Sequence, residues 1–226
     1  MTRWPIVRYL LGSHTIFLLL CLIPIYLFAV AVVAVVSIFT EIRISGMDAI
    51  GQALPWVTAG YGAATSSLLV TVLVHGRTRR EFLLQHPLFQ VITTGLAAAL
   101  ITGFYGLEVL LYRAAGWQQT VQQQRAYTSA DEYGTVFLAH WSMLLTWLMI
   151  GVFIGVAFYR WEAAGGLALL PAGLIVASCG GVNGFFSLPF FRTDLPLVPV
   201  TLGAVAIAYG LLWLSARDVP LRTRVA

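Results

Sequence analysis

The chain has 226 residues, of which 59% are hydrophobic and 10% charged, with a net charge of +4. Several apolar runs reach the roughly 18 residues that a bilayer crossing needs, which excludes a water-soluble globular protein. Every one of the 13 basic residues is an arginine, so lysine Schiff-base chemistry, and a retinal-binding protein with it, is excluded.

The apolar pattern predicts an all-α integral membrane protein with six transmembrane helices, at about 16–39, 55–74, 88–110, 135–158, 167–187 and 195–214. No soluble domain fits between them, so residues 1–226 form one transmembrane domain. The first run is too long for the apolar region of a cleavable signal and lacks a small-residue cleavage site. Between spans two and three lies His75-Gly76-Arg77-Thr78-Arg79-Arg80-Glu81-Phe82, followed by Leu83-Leu84-Gln85-His86-Pro87. Thr78 and Glu81 have capping-box spacing, which predicts a short helix starting near Arg79. Pro87 disfavours helical geometry at His86 and predicts an end or a kink there. A short basic helix in this place reads either as an orienting loop or as a docking element for a soluble motor.

Arginine placement orients the chain. With the N-terminus inside, Arg3, Arg8, Arg77, Arg79, Arg80, Arg160, Arg217, Arg222 and Arg224 are cytoplasmic. Only Arg43, Arg113, Arg125 and Arg192 are external, with the acids Glu41, Asp48, Asp131, Glu132 and Asp194. The positive-inside rule then puts both termini in the cytoplasm of a multi-pass protein of the inner (plasma) membrane. The charge sits at span ends and does not point to nucleic acid.

The longest external loop, about 111–134, carries the glutamine-rich run 118–124, which reads as a solvated connector, a surface helix or a cap over an exit. Glu108 is the one acid expected inside a span. It either pairs with Arg113 at the interface or lines a watery path. His140, beside Trp141, either bonds a neighbouring helix or ligates a haem or relays a proton. Arg160-Trp161-Glu162 ends span four, with Tyr159 and Trp161 suited to the interface. Span five is irregular, with Gly165, Gly166 and Pro171 at its start and Gly180, Gly181, Asn183 and Gly184 at its end. The segment 185–191 reads as a re-entrant hairpin or as close bundle packing. Cys21 and Cys179 lie in apolar runs and form no metal or redox motif. There is no G-x-x-x-x-G-K-[ST] phosphate loop, no H-E-x-x-H and no G-x-S-x-G.

Two segments resemble the permease subunits of small six-span bacterial ATP-binding-cassette (ABC) exporters. One is Gly76-Arg77-Thr78-Arg79-Arg80-Glu81-Phe82-Leu83, similar to the family's Gly-Val-Thr-Arg-Arg-x-Phe-Phe. The other runs from Gly151 through Gly155, Tyr159, Arg160 and Trp161 to Gly165, with Glu162 where the family pattern has glycine. The resemblance covers roughly residues 61–226. It implies a cytoplasmic coupling helix between spans two and three that docks on a separate ABC ATPase subunit through Arg77, Thr78, Arg79, Arg80, Glu81 and Phe82, with Arg160 and Glu162 as further contacts. It implies a non-catalytic chain that binds no cofactor itself, with ATP and Mg in the partner. A second permease copy or homologue would complete the path for a hydrophobic or amphipathic substrate. Tyr61, Glu108, Asn183 and Phe185 are the expected path residues. Two alternatives stand beside this reading: a haem- or quinone-handling membrane protein using His140, and a non-transporting anchor or immunity protein.

Overall fold

The computed structural model describes residues 4–36, 38–40, 45–117, 119–122, 125–186 and 195–219. Expectations that fall on Arg3, Glu41, Arg43, Gln118, Gln123, Gln124, residues 187–191, Arg192, Asp194, Arg222 and Arg224 lie outside them. The described residues are helical almost throughout: α1 (Pro5–Val36), α2 (Gly46–Gly51), α3 (Leu54–Thr65), α4 (Leu68–Val74), α5 (Arg79–Ala115), α6 (Tyr133–Trp161), a 3-10 segment (Glu162–Ala168), α7 (Leu169–Asn183) and α8 (Leu197–Ala216). Five helical stretches are long and apolar enough to cross a membrane, with α3–α4 counted as one and α6–α7 as another.

The α6–α7 stretch folds back on itself. Cys179 Sγ lies 3.3 Å from Ser142 Oγ and 3.4 Å from Thr146 Oγ1, a pairing across a hairpin centred near residue 161. The turn falls at Glu162, with φ 52° and ψ −127°. Only glycine enters that region without strain. Gly165 then returns against the α6 backbone, where a Cβ would stand 2.6 Å from the Ala157 carbonyl oxygen.

α6 is the central helix and packs against α3, α5, α7 and α8. Its tightest partner is α3. A Cβ built on Gly62 would meet the Gly151 Cα at 3.1 Å and the Leu148 carbonyl oxygen closer still, and one on Gly155 would stand 2.8 Å from Ser66 Cβ. The Gly151-x-x-x-Gly155 face of α6 thus docks on Gly62 and Ser66 at backbone-to-backbone range, the usual way membrane helices pack closely. α1 lies outermost and leaves Leu20, Leu27 and Phe28 exposed, an apolar exterior suited to lipid.

The expectation that Pro87 ends or kinks a short helix is corrected in one respect: α5 does not end there but continues as one helix of 37 residues, with Pro87 inside it. Proline has no N–H for the carbonyl four residues back, which is that of Leu83. The Tyr209 hydroxyl of α8 donates to that carbonyl at 3.1 Å. The freed group is therefore satisfied from a neighbouring helix, and the helix runs on.

Candidate functional site

The arginine-rich loop lies at one end of the bundle. Thr78 is the N-cap of α5: its Oγ1 accepts from Glu81 N at 3.1 Å, and its own N–H donates to Glu81 Oε2 at 2.9 Å. The capping box expected from the sequence is therefore present. Gly76, at φ 73°, makes the turn out of α4. Arg77, Thr78 and Arg80 are exposed, and Arg79 and Glu81 are half-buried. Phe82 is fully buried and stacks on His86 at 4.6 Å between ring centroids. It anchors the loop from inside and does not face solvent.

The same end gathers three other chain segments. Arg79 Nη2 donates to the Val219 carbonyl at 2.8 Å. Arg160 Nη1 donates to Ser215 O at 2.9 Å and Leu214 O at 3.3 Å, capping carbonyls at the end of α8. Gln85 Oε1 accepts from Ile6 N at 3.0 Å, at the start of α1. Arg160 and Glu162 lie beside this loop's end of the bundle, Arg160 half-buried and Glu162 exposed. Arg79 and Arg160 thus hold the end together as well as charging it.

The opposite end is closed by two buried carboxylates. Asp48, on α2, and Arg125, in the 119–132 loop, form an ion pair at 2.8 Å with neither side chain exposed. Gln122 N donates to Asp48 Oδ2 at 2.6 Å, and the Tyr105 and Tyr127 hydroxyls reach Asp48 Oδ1 at 3.4 Å. Arg125 Nη1 also donates to Gly184 O at 3.2 Å, and its guanidinium lies 3.8 Å over the Phe185 ring. One arginine therefore ties α2, the loop and the end of α7 together.

Glu108 lies beside this pair on α5. It accepts from Ser45 Oγ at 2.5 Å, Met47 N at 2.8 Å and Gln119 Nε2 at 3.2 Å. The expected Glu108–Arg113 pair does not form: Arg113 pairs with Asp131 at 3.9 Å, on the surface. Asp48, expected in an external loop, is fully buried there. The described part of the glutamine-rich run is not helical, and its Gln119 and Gln122 are bound into the closure. Asn183 Oδ1 accepts from Phe185 N at 3.0 Å, which fixes the turn after the Gly184 cap of α7, and Asn183 and Phe185 are both buried. Outside the helices, Glu132 accepts from Thr128 Oγ1 at 2.5 Å and from the N–H groups of Thr128 and Ser129 at 3.1 Å. These bonds hold its carboxyl below the ordinary carboxylate range.

Between the two ends, α5 carries a polar face that lacks partners. His86, Gln90 and Thr93 are buried, yet both ring nitrogens of His86, both amide atoms of Gln90 and Thr93 Oγ1 have no hydrogen-bond partner among the described residues. An orphaned buried polar group costs about 1–3 kcal/mol. Tyr61, one of the expected path residues, pairs its hydroxyl with His14 Nδ1, and the His14 ring lies 5.4 Å from Phe89 on α5. His140 is buried, bonds the Val136 carbonyl of its own helix at 2.8 Å, and packs against Tyr105, Tyr127 and Phe185. Among the described residues no three His, Cys, Asp or Glu side chains group as metal ligands.

Sequence reasoning missed the Asp48–Arg125 pair and the orphaned face of α5. The pair spans 77 residues, beyond any local spacing rule. The face had a signal, since His86, Gln90 and Thr93 recur at helical i, i+4, i+7 spacing inside an apolar stretch. No family model, no curated protein and no solved structure matches the chain.

Proposed function

We propose that this chain is the membrane-spanning subunit of an ABC exporter, with six crossings and both termini in the cytoplasm. Two copies, or this chain and a similar one, would enclose the path above a pair of ATPase subunits. One observation carries the reading. A single helix, α5, begins at the exposed arginine loop and continues about 40 Å to the residues that close the other end, Tyr105 and Glu108. A push on Arg77, Thr78 and Arg80 would be delivered along a rigid rod to the Asp48–Glu108–Arg125 closure.

Several features support the reading. Arg77, Arg79, Arg80, Arg160 and Arg217 gather toward one end, as the positive-inside rule asks of a cytoplasmic face. Read as two crossings, the α6–α7 hairpin would bring the five apolar stretches to six. A strained non-glycine residue, Glu162, persists at the same end, as residues kept for contact often do. The chain itself transforms no bond. ATP and Mg would be held by the partner, whose closure would shift the permease between inward-open and outward-open states by its differential fit to the two.

The test is purification of the tagged chain from its native membrane, with a vanadate-sensitive ATP hydrolysis assay on the eluate. Co-purifying hydrolysis is expected. If none is found at any detergent strength that preserves the fold, the transporter reading falls and the non-transporting anchor takes its place.

A further inference from the structure

The closure and the arginine loop leave one polar feature of α5 unused. His86, Gln90 and Thr93 lie on one helix face, separated by about 6 and 4.5 Å along the axis, and their five side-chain polar atoms have no partner in the described protein. Native structures rarely leave such groups unmet, least of all in a membrane span, where hydrocarbon offers nothing in exchange. The geometry points to a ligand subsite on this face that takes the neutral amide groups of an apolar peptide or peptide-like molecule.

The chemistry selects that class. Gln90 presents a donor and an acceptor side by side, the complement of another amide. His86 and Thr93, one turn to either side, each offer a donor and an acceptor. None of the three is an acid or an arginine, so a carboxylate or ammonium group would be desolvated there without a counter-charge. The rings of Phe82 and Phe89 pack against His86 at 4.6 and 5.8 Å, so the polar stripe lies buried among apolar side chains that a ligand would share. The Tyr61–His14 pair, between α3 and α1, lies beside Phe89 and is already bonded within itself. An apolar molecule with regularly spaced amides satisfies both the apolar side chains and the stripe. The inference deepens the exporter reading by naming its cargo, and it rests on that reading only for the direction of movement.

The experiment uses the full purified chain in lipid nanodiscs without any ATPase, so its result is independent of the pull-down. The probe is a photoreactive capped dipeptide, N-acetyl-leucyl-photoleucine methylamide. Labelling should be saturable, fall within α3 or α5, and be competed by N-acetyl-leucyl-leucine methylamide. The analogue with esters in place of the amides has the same shape without the N–H donors, and it should compete roughly tenfold more weakly. Gln90→Leu and Thr93→Val should weaken labelling while leaving the melting temperature unchanged or higher, because each removes an unmet polar group. Equal competition by amide and ester, labelling unchanged in both variants, or a fall in melting temperature in both would overturn the proposal. The last result would mean that the stripe is bonded as part of the fold. Amide-selective labelling without a co-purifying ATPase would keep the subsite and remove only the transporter.

Discussion

The two ends of the bundle use the same residue type in opposite ways. At one end Arg125 is fully buried, paired with Asp48 and packed on Phe185. At the other, Arg77 and Arg80 stand in solvent, and the Arg77–Glu81 pair is a loose 3.6 Å contact on the surface. A buried pair is costly to break because the remaining charge stays desolvated, whereas an exposed pair contributes little. The first arrangement holds a structure shut. The second leaves charge available to something outside the chain.

The sharpest way to break that contrast is to remove one half of the buried pair. Asp48→Asn leaves Arg125 without its counter-charge and should cost about 3–5 kcal/mol, read as a fall in melting temperature in detergent. The double variant Asp48→Leu with Arg125→Met should cost less than the single one. If the single variant is neutral, the closed end is not held by this pair.

Next in size is the α3–α6 crossing that joins the ends. Gly151→Leu places a side chain against the Ala59 carbonyl and Gly62 Cα. Overpacking of this kind costs about 1–3 kcal/mol or more, and backbone contact leaves little room to relax. Gly103→Leu, where nothing lies within 4 Å of a Cβ, is the control and should be near neutral.

A stabilising change comes third. Glu162→Gly relieves a backbone conformation that suits glycine and should raise stability by about 1 kcal/mol. If Glu162 also meets a partner, the same variant should weaken that contact while melting higher.

A smaller, pH-dependent effect is expected in the loop of the closed end. The Glu132 carboxyl is held below its ordinary range by the bonds from Thr128 and Ser129. A carboxyl lowered by folding contributes stability that is present at neutral pH and is lost as pH falls through the acid range. Amide protection at residues 128–132, taken relative to the intrinsic exchange rate at each pH, should therefore fall on acidification, and Glu132→Gln should remove that dependence.

Much of the exposed end was legible in the sequence. The Thr78–Glu81 spacing announced the N-cap, because it depends on neighbours within one turn, which local pattern can read. Gly151 and Gly155 entered only through the family resemblance, and their close crossing with α3 appears in the structure. The closed end was not legible. Glu108 stands five residues from Arg113, yet two of its three partners are Ser45 and Met47, more than 60 residues away. Charge counting grouped Arg125 with the external arginines and gave no sign that it is buried. That α5 continues past Pro87 was not legible for a related reason: the hydroxyl that meets the freed carbonyl belongs to Tyr209, 126 residues away.

The most direct test of the central claim is a comparison of co-purification from native membranes. Wild type would be set against Arg77→Glu with Arg80→Glu, two exposed positions whose reversal should change stability by less than about 0.5 kcal/mol. The account predicts that the ATPase co-purifies with wild type and is lost from the variant at an unchanged melting temperature. Equal recovery of the ATPase with both would contradict the assignment of this end as the docking face.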